Sequence, residues 1–150
     1  MIKTPPYLQK GDTIGLVCPA GYMPLEKVTG CIRVLKEEWG YNVKTGKTVG
    51  GDSTTYFSGT DEERLADFQQ MLDDDEVRAV LCARGGYGMS RIIDKIGFKK
   101  FKKQPKWIIG YSDITVLHSH LYSNYYISSL HAPMAGAFNG EEFKNEYVLS

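Results

Sequence analysis

Hydrophobic positions along the chain alternate between two periods. Short continuous apolar runs at residues 13–18 (TIGLVC), 77–83 (VRAVLCA) and 107–110 (WIIG) read as buried strands. Between them, apolar residues recur at helical spacing. One stripe is Leu25, Val28, Ile32, Leu35 and Trp39, with Gly40 as a stop. The others are Leu65, Phe68 and Leu72, then Ile92, Ile93 and Ile96, then Val116, Leu117 and Leu121. Thr60 with Glu63 forms a capping box ahead of the second stripe. A weak strand near residues 41–44 and a short one over roughly 127–130 complete the pattern, and a Gly/Ser/Thr-rich loop spans 45–59. Strand–helix alternation of this kind predicts one α/β domain over residues 1–150. Its parallel sheet carries helices on both faces, a flavodoxin- or Rossmann-like three-layer sandwich. Right-handed crossovers then bring every strand's carboxyl end to one edge, where such folds bind ligands.

Three unusual loops end on that edge: Cys18-Pro19-Ala20-Gly21, Arg84-Gly85-Gly86-Tyr87-Gly88 and Gly110-Tyr111-Ser112-Asp113. In the last, an apolar strand stops at a glycine, a serine follows two residues on, and a helix opens at once. That setting can hold a serine hydroxyl clear of the backbone, with helix N-terminal N–H groups beside it. Only the first glycine of a G-x-S-x-G elbow is present, because Ile114 takes the second place. The competing role for Ser112 or Asp113 is that of a helix cap. In the middle loop, Gly85, Gly86 and Gly88 allow close approach of a substrate. Their N–H groups could cradle a phosphate, or one could join that of Asp113 in an oxyanion hole facing Ser112. A tight turn is the plainer alternative. Neither G-x-x-x-x-G-K-[ST] nor G-x-G-x-x-G occurs.

A serine nucleophile needs a base. His118 and His120 lie six and eight residues beyond Ser112, in a helix expected to lead away from it. His131 follows a neighbouring strand, but Pro133 marks a structural turn there. The residues alone therefore offer a nucleophile without a partner.

Composition narrows the function classes. Lys plus Arg equals Asp plus Glu, 18 against 18, so no global field favours nucleic acid or anionic membrane. The opening MIKTPPYLQKGD lacks the apolar core of a signal peptide, and no apolar run could span a bilayer, so a cytoplasmic protein is expected. Cys18, Cys31 and Cys82 are odd in number and far apart, which fits buried reduced thiols better than a disulfide or a zinc site. The acidic run 73–76 reads as a solvated helix end rather than a metal site. Lys99, Lys100, Lys102 and Lys103 read as a solvated loop.

Five segments occur in the order found in serine LD-carboxypeptidases, and the chain resembles that family over nearly all its length. They are Gly11–Gly15 with Pro19-Ala20, Thr60-Asp61-Glu62-Glu63-Arg64, Arg84–Gly88, Gly110–Thr115 and His131-Ala132-Pro133-Met134. The resemblance covers the family's N-terminal half. It implies Ser112 as nucleophile and an oxyanion hole from the backbone N–H groups of Asp113 and of Gly85 or Gly86. It further implies an acyl-enzyme mechanism without metal or organic cofactor, acting on murein tetrapeptide in peptidoglycan recycling to release the terminal D-Ala. A C-terminal domain would supply the catalytic Glu and His. The stretch 141–150 (EEFKNEYVLS), with Phe143, Tyr147 and Val148 about a turn apart, then reads as a helix cut in passing. The fragment alone should be inactive, and the complete enzyme a homodimer. Two alternatives are a microcin-immunity-type hydrolase of peptidyl or aminoacyl nucleotides and a non-catalytic anion-binding module.

Overall fold

The computed structural model describes residues 1–51 and 53–138. Five strands are found among them: β1 (Thr13–Val17), β2 (Asn42–Thr45), β3 (Val77–Cys82), β4 (Trp107–Gly110) and β5 (Leu130–His131). They form one sheet in the order β2-β1-β3-β4-β5, with every neighbouring pair parallel. This is the flavodoxin-like order, and its topological switch point lies between β1 and β3. The sequence expectation of an α/β sandwich is met.

Side-chain alternation along the strands builds two cores. Val17, Val80, Cys82 and Ile108 face one side of the sheet. There they meet Phe68, Met71 and Leu72 of α2 (Asp61–Asp73), Met89 and Ile92 of α3 (Met89–Ile92), Phe101 of α4 (Lys99–Lys103) and Leu117 and Leu121 of α5 (Thr115–Tyr125). Ile14, Leu16, Ala79 and Leu81 face the other side, against Val28 and Cys31 of α1 (Leu25–Arg33) and Leu35 beyond it. The capping box forms as read: Thr60 Oγ1 accepts from the Glu63 N–H at 3.1 Å, and Glu63 Oε2 accepts from the Thr60 N–H at 2.8 Å.

Four local expectations are corrected. Helix α1 runs into a π-helical turn, Val34–Glu38, which rotates the stripe. Val28, Cys31, Val34 and Leu35 are buried, while Leu25 at the start of α1 and Trp39 just after the π turn are 52% and 40% exposed. The basic cluster is α4, not a loop, because Phe101 buries between Ile96 and the α2 core and anchors one short turn. The third helix stripe breaks after Ile92 into a 3-10 turn, Ile93–Lys95, although Ile93 and Ile96 still bury. Strand β5 starts at Leu130 rather than 127, because Ile127 is already used in a bridge to Lys3. The stretch 141–150 lies outside the described residues.

Around the acidic run, the amino edge of the sheet is tightly paired. Asp74 pairs with Lys44, and Asp75 with Lys100 at 2.9 Å. Lys100 Nζ donates to the Asp73 carbonyl and Lys106 Nζ to the Asp74 carbonyl, each at 2.6 Å, so the α2 C-terminus is capped by cations. The three cysteines are free and buried. Burial pushes the Cys18 and Cys31 thiols up to about 12, which removes the thiolate a nucleophile needs.

Candidate active site

Strand β4 ends at Gly110, and Tyr111 is extended, with φ −145° and ψ −171°. The chain then reverses at Ser112, whose φ is +59°. A serine in the left-handed region costs backbone energy, and such strain clusters at functional sites. Ser112 is exposed, and its hydroxyl makes no hydrogen bond among the described residues. It opens a 3-10 turn, Ser112–Ile114, that leads directly into α5, and no side chain caps either element. The helix-cap role is thus not what Ser112 performs.

Nor does Asp113 cap its own helix. Its Oδ2 accepts from the backbone N–H groups of Gly88 and Met89, both at 2.9 Å, so it caps α3, a helix 24 residues earlier in the chain. This bond ties the glycine loop 84–88 to the serine turn. Gly85 is pressed against that turn: a Cβ there would lie 3.4 Å from the Asp113 nitrogen and 3.5 Å from Ser112 Cβ. Gly85 is buried, yet among the described residues its N–H and that of Gly86 donate to nothing. Buried backbone N–H groups are nearly always paired within the protein or with water, so these two donors are open to an acceptor from outside the fold. The loop needs its glycines, since Gly86 has φ +118°, a conformation L side chains rarely adopt.

The first loop closes the same edge. Gly21 N–H donates to the Gly85 carbonyl at 2.9 Å, and Arg84 Nη1 donates to the Tyr22 carbonyl at 2.7 Å. The three loops singled out in the sequence are therefore in contact at the carboxyl ends of β1, β3 and β4.

The histidines divide differently from the sequence expectation. His118 does not point away: its Nε2 lies 2.8 Å from the Gly110 carbonyl and its Nδ1 2.7 Å from Ser129 Oγ. A carbonyl can only accept, so Nε2 carries the proton and Nδ1 of the neutral ring accepts from Ser129. Burial lowers its pKa and favours that neutral form. Both nitrogens are committed to holding the elbow, leaving none for Ser112. His120 packs its ring on Phe98 and Tyr125, with centroids 5.2 and 5.6 Å away. His131 is exposed beside Tyr111 and His118, at 6.2 and 6.3 Å between ring centroids.

One contributor escaped sequence reasoning. Arg64 is fully buried beneath the loops, where Nη1 donates to the Pro19 carbonyl at 2.7 Å and the Gly88 carbonyl at 3.1 Å. It also pairs with Asp61 and lies over the Phe57 ring at 4.9 Å. Its place in the Thr60–Arg64 segment was the available signal, but a charge in a first helical turn reads as solvated.

Comparison with known proteins bears on the fold and the family. The LD-carboxypeptidase N-terminal domain matches residues 14–132. A probable murein peptide carboxypeptidase of Bacillus subtilis is 45% identical over 130 residues, which is 87% of this chain and 40% of that protein. The murein tetrapeptide carboxypeptidase of Pseudomonas aeruginosa is 30% identical over 123 residues, 81% of this chain and 39% of that one. A crystal structure of an MccF-like protein from Bacillus anthracis superposes with a TM-score of 0.80 at 26% identity, covering 98% of this chain and 46% of the other. The chain thus spans about two fifths of the curated relatives' length. An α/β sheet with a left-handed serine between β4 and α5, matched across residues 14–132, places the chain in the LD-carboxypeptidase family, as its N-terminal domain.

Proposed function

We propose that this chain is the nucleophile-bearing part of a serine LD-carboxypeptidase that removes the terminal D-Ala from a murein tetrapeptide. The observation that carries this reading is Ser112 at φ +59°, its hydroxyl free, beside the unpaired N–H groups of Gly85 and Gly86. Ser112 Oγ attacks the carbonyl of the L-centre of meso-diaminopimelate. The new Oγ–C bond forms as the Oγ proton passes to a base, and the oxyanion is held by the N–H of Asp113 and of Gly85 or Gly86. Collapse breaks the C–N bond, the base returns the proton to the leaving amine, and D-Ala departs. Water then hydrolyses the acyl-enzyme by the same route. The names of the Bacillus subtilis and Pseudomonas aeruginosa relatives support a murein peptide as substrate.

His118 is committed at both ring nitrogens and His120 packs on Phe98 and Tyr125, so the proposal assigns the base, with the Glu that orients it, to a C-terminal domain. The test is D-Ala release from murein tetrapeptide by residues 1–150 and by the protein at its full encoded length. Turnover is expected from the longer protein only. Equal turnover by residues 1–150 would place the base inside them, with His131 the first to replace. A second reading, favoured by the likeness to the MccF-like structure, is hydrolysis of a peptidyl or aminoacyl nucleotide amide. The same assay run on such an amide separates the two.

A further inference from the structure

The segment Thr60–Arg64 does more than form a capping box, because it also places a buried arginine under the loops. Arg64 is wholly buried, and its Nε is a buried donor without a partner. Burying a charge with an unsatisfied donor opposes folding, and hydrophobic residues of similar volume often replace buried ion pairs at no loss of stability. Stability therefore does not explain this arginine. Its contacts do.

The Gly88 peptide groups are held from two directions. The N–H of Gly88 donates to Asp113 Oδ2 at 2.9 Å, and its carbonyl accepts from Arg64 Nη1 at 3.1 Å. The same Nη1 holds the Pro19 carbonyl at 2.7 Å, so the first loop and the glycine loop share one anchor. Space at the junction is exhausted: a Cβ on Gly88 would lie 2.7 Å from Ala20 Cα and 2.8 Å from Arg64 Nη1. Behind Arg64, Asp61 balances its charge and also accepts from Arg91 Nε at 2.8 Å. The chain of contacts therefore runs Asp61, Arg64, Gly88, Asp113, and Asp113 is the residue after Ser112.

The geometry points to Arg64 and the Asp113 carboxylate as positioning residues that clamp Gly88 from both sides, fixing the Gly85 and Gly86 N–H groups opposite Ser112. Neither side chain touches the reacting atoms. They act through the loop, and the inference rests on the reading of Ser112 as nucleophile. An oxyanion hole works only when its donors are already in place as charge develops, and an error of about 1 Å can cost roughly 10²-fold. A glycine-rich loop has little stiffness of its own, so the rigidity has to come from side chains outside it.

The test measures phosphonylation of Ser112 by a fluorophosphonate, together with thermal melting, on the protein at its full encoded length. In this reaction the Oγ proton passes to the base, Oγ–P forms, P–F breaks, fluoride leaves and the phosphoryl oxygen takes up the oxyanion's place. Arg64→Met preserves volume but leaves the Pro19 and Gly88 carbonyls without that donor, so it is expected to melt earlier than the wild type and, at a temperature where it is still folded, to label roughly 10- to 100-fold more slowly. Arg64→Lys should not restore the rate, because a single ammonium cannot reproduce the guanidinium's spread of contacts. Asp113→Ala keeps the backbone N–H but frees Gly88 and Met89, and should slow labelling similarly. Asp113→Asn keeps one acceptor oxygen and should recover most of the rate. Folded Arg64→Met or Asp113→Ala labelling at the wild-type rate would overturn the clamp. Should Arg64→Met fail to fold, the Asp113→Ala and Asp113→Asn pair decides alone. Wild-type protein that does not label at Ser112 would overturn the reading of the nucleophile itself, and the clamp with it.

Discussion

The two ends of the sheet use polar residues in opposite ways. At the amino edge, acidic and basic side chains crowd together and pair with one another or with the helix end: Asp74 with Lys44, Asp75 with Lys100, the last carbonyls of α2 with Lys100 and Lys106. At the carboxyl edge the N–H of buried Gly85, that of half-buried Gly86 and the exposed hydroxyl of Ser112 stand unpaired among the described residues. Ser112 also holds a backbone conformation that serine avoids. Density of charge therefore does not locate the site. Polar groups held in place and left without partners do, because folding tolerates them only where something outside the fold satisfies them.

Two substitutions at the carboxyl edge test that contrast where it is strongest. Ser112→Ala should abolish turnover, by about 10⁶-fold in kcat if it behaves as a nucleophilic serine does elsewhere. Because its side chain caps nothing, melting should hardly move. A variant that kept several per cent of activity but melted early would return Ser112 to a structural role. Gly86→Val should come next. A valine at φ +118° would displace the loop, and its Cβ would fall 2.5 Å from the Tyr56 hydroxyl. Loss of one oxyanion donor corresponds to about 10²–10³ in kcat. Unchanged kcat with weakened phosphate binding would instead favour an anion cradle.

Much of this was legible in the chain, and what was not has a common cause. The runs TIGLVC, VRAVLCA and WIIG became β1, β3 and β4 because a parallel strand buried on both faces leaves a continuous apolar trace. The Thr60–Glu63 box and the turn at Ser112 are local, so local pattern finds them. Asp113 and Arg64 were not legible in the same way. Their side chains act on residues 24 or more positions away, and periodicity assigns a side chain only to its own element. His118 was misjudged for the reverse reason: it sits on a helix leaving the elbow, but its ring folds back to Gly110. The π turn after Arg33 left no mark in a 3.6-residue stripe either.

The smallest expected effect belongs to the amino edge, and it should fall on stability rather than turnover. Lys106 is buried, with its ammonium on the Asp74 carbonyl, and burial brings its pKa down to about 8 despite the attraction of Asp74 and Asp75. Lys106→Met keeps the aliphatic stem and removes the donor, leaving carbonyls at the α2 C-terminus unsatisfied. That should cost about 1–3 kcal/mol near neutral pH. The pH dependence fixes the sign. The folded amine releases its proton near pH 8, whereas the unfolded amine holds it to its ordinary value of 10.5. Between these values the unfolded chain binds more protons, so wild-type stability gains on that of Lys106→Met as pH rises from 8 to 10.5, and below 8 the gap is flat. Chemical denaturation of both proteins at pH 7 and at pH 10 reads this directly. A gap that narrows at pH 10 would mean that Lys106 holds its proton more tightly folded than unfolded, as a lysine in a strong ion pair would. Full-length enzyme carrying Lys106→Met should still release D-Ala at the wild-type rate, while Ser112→Ala, with its melting unchanged, should release none.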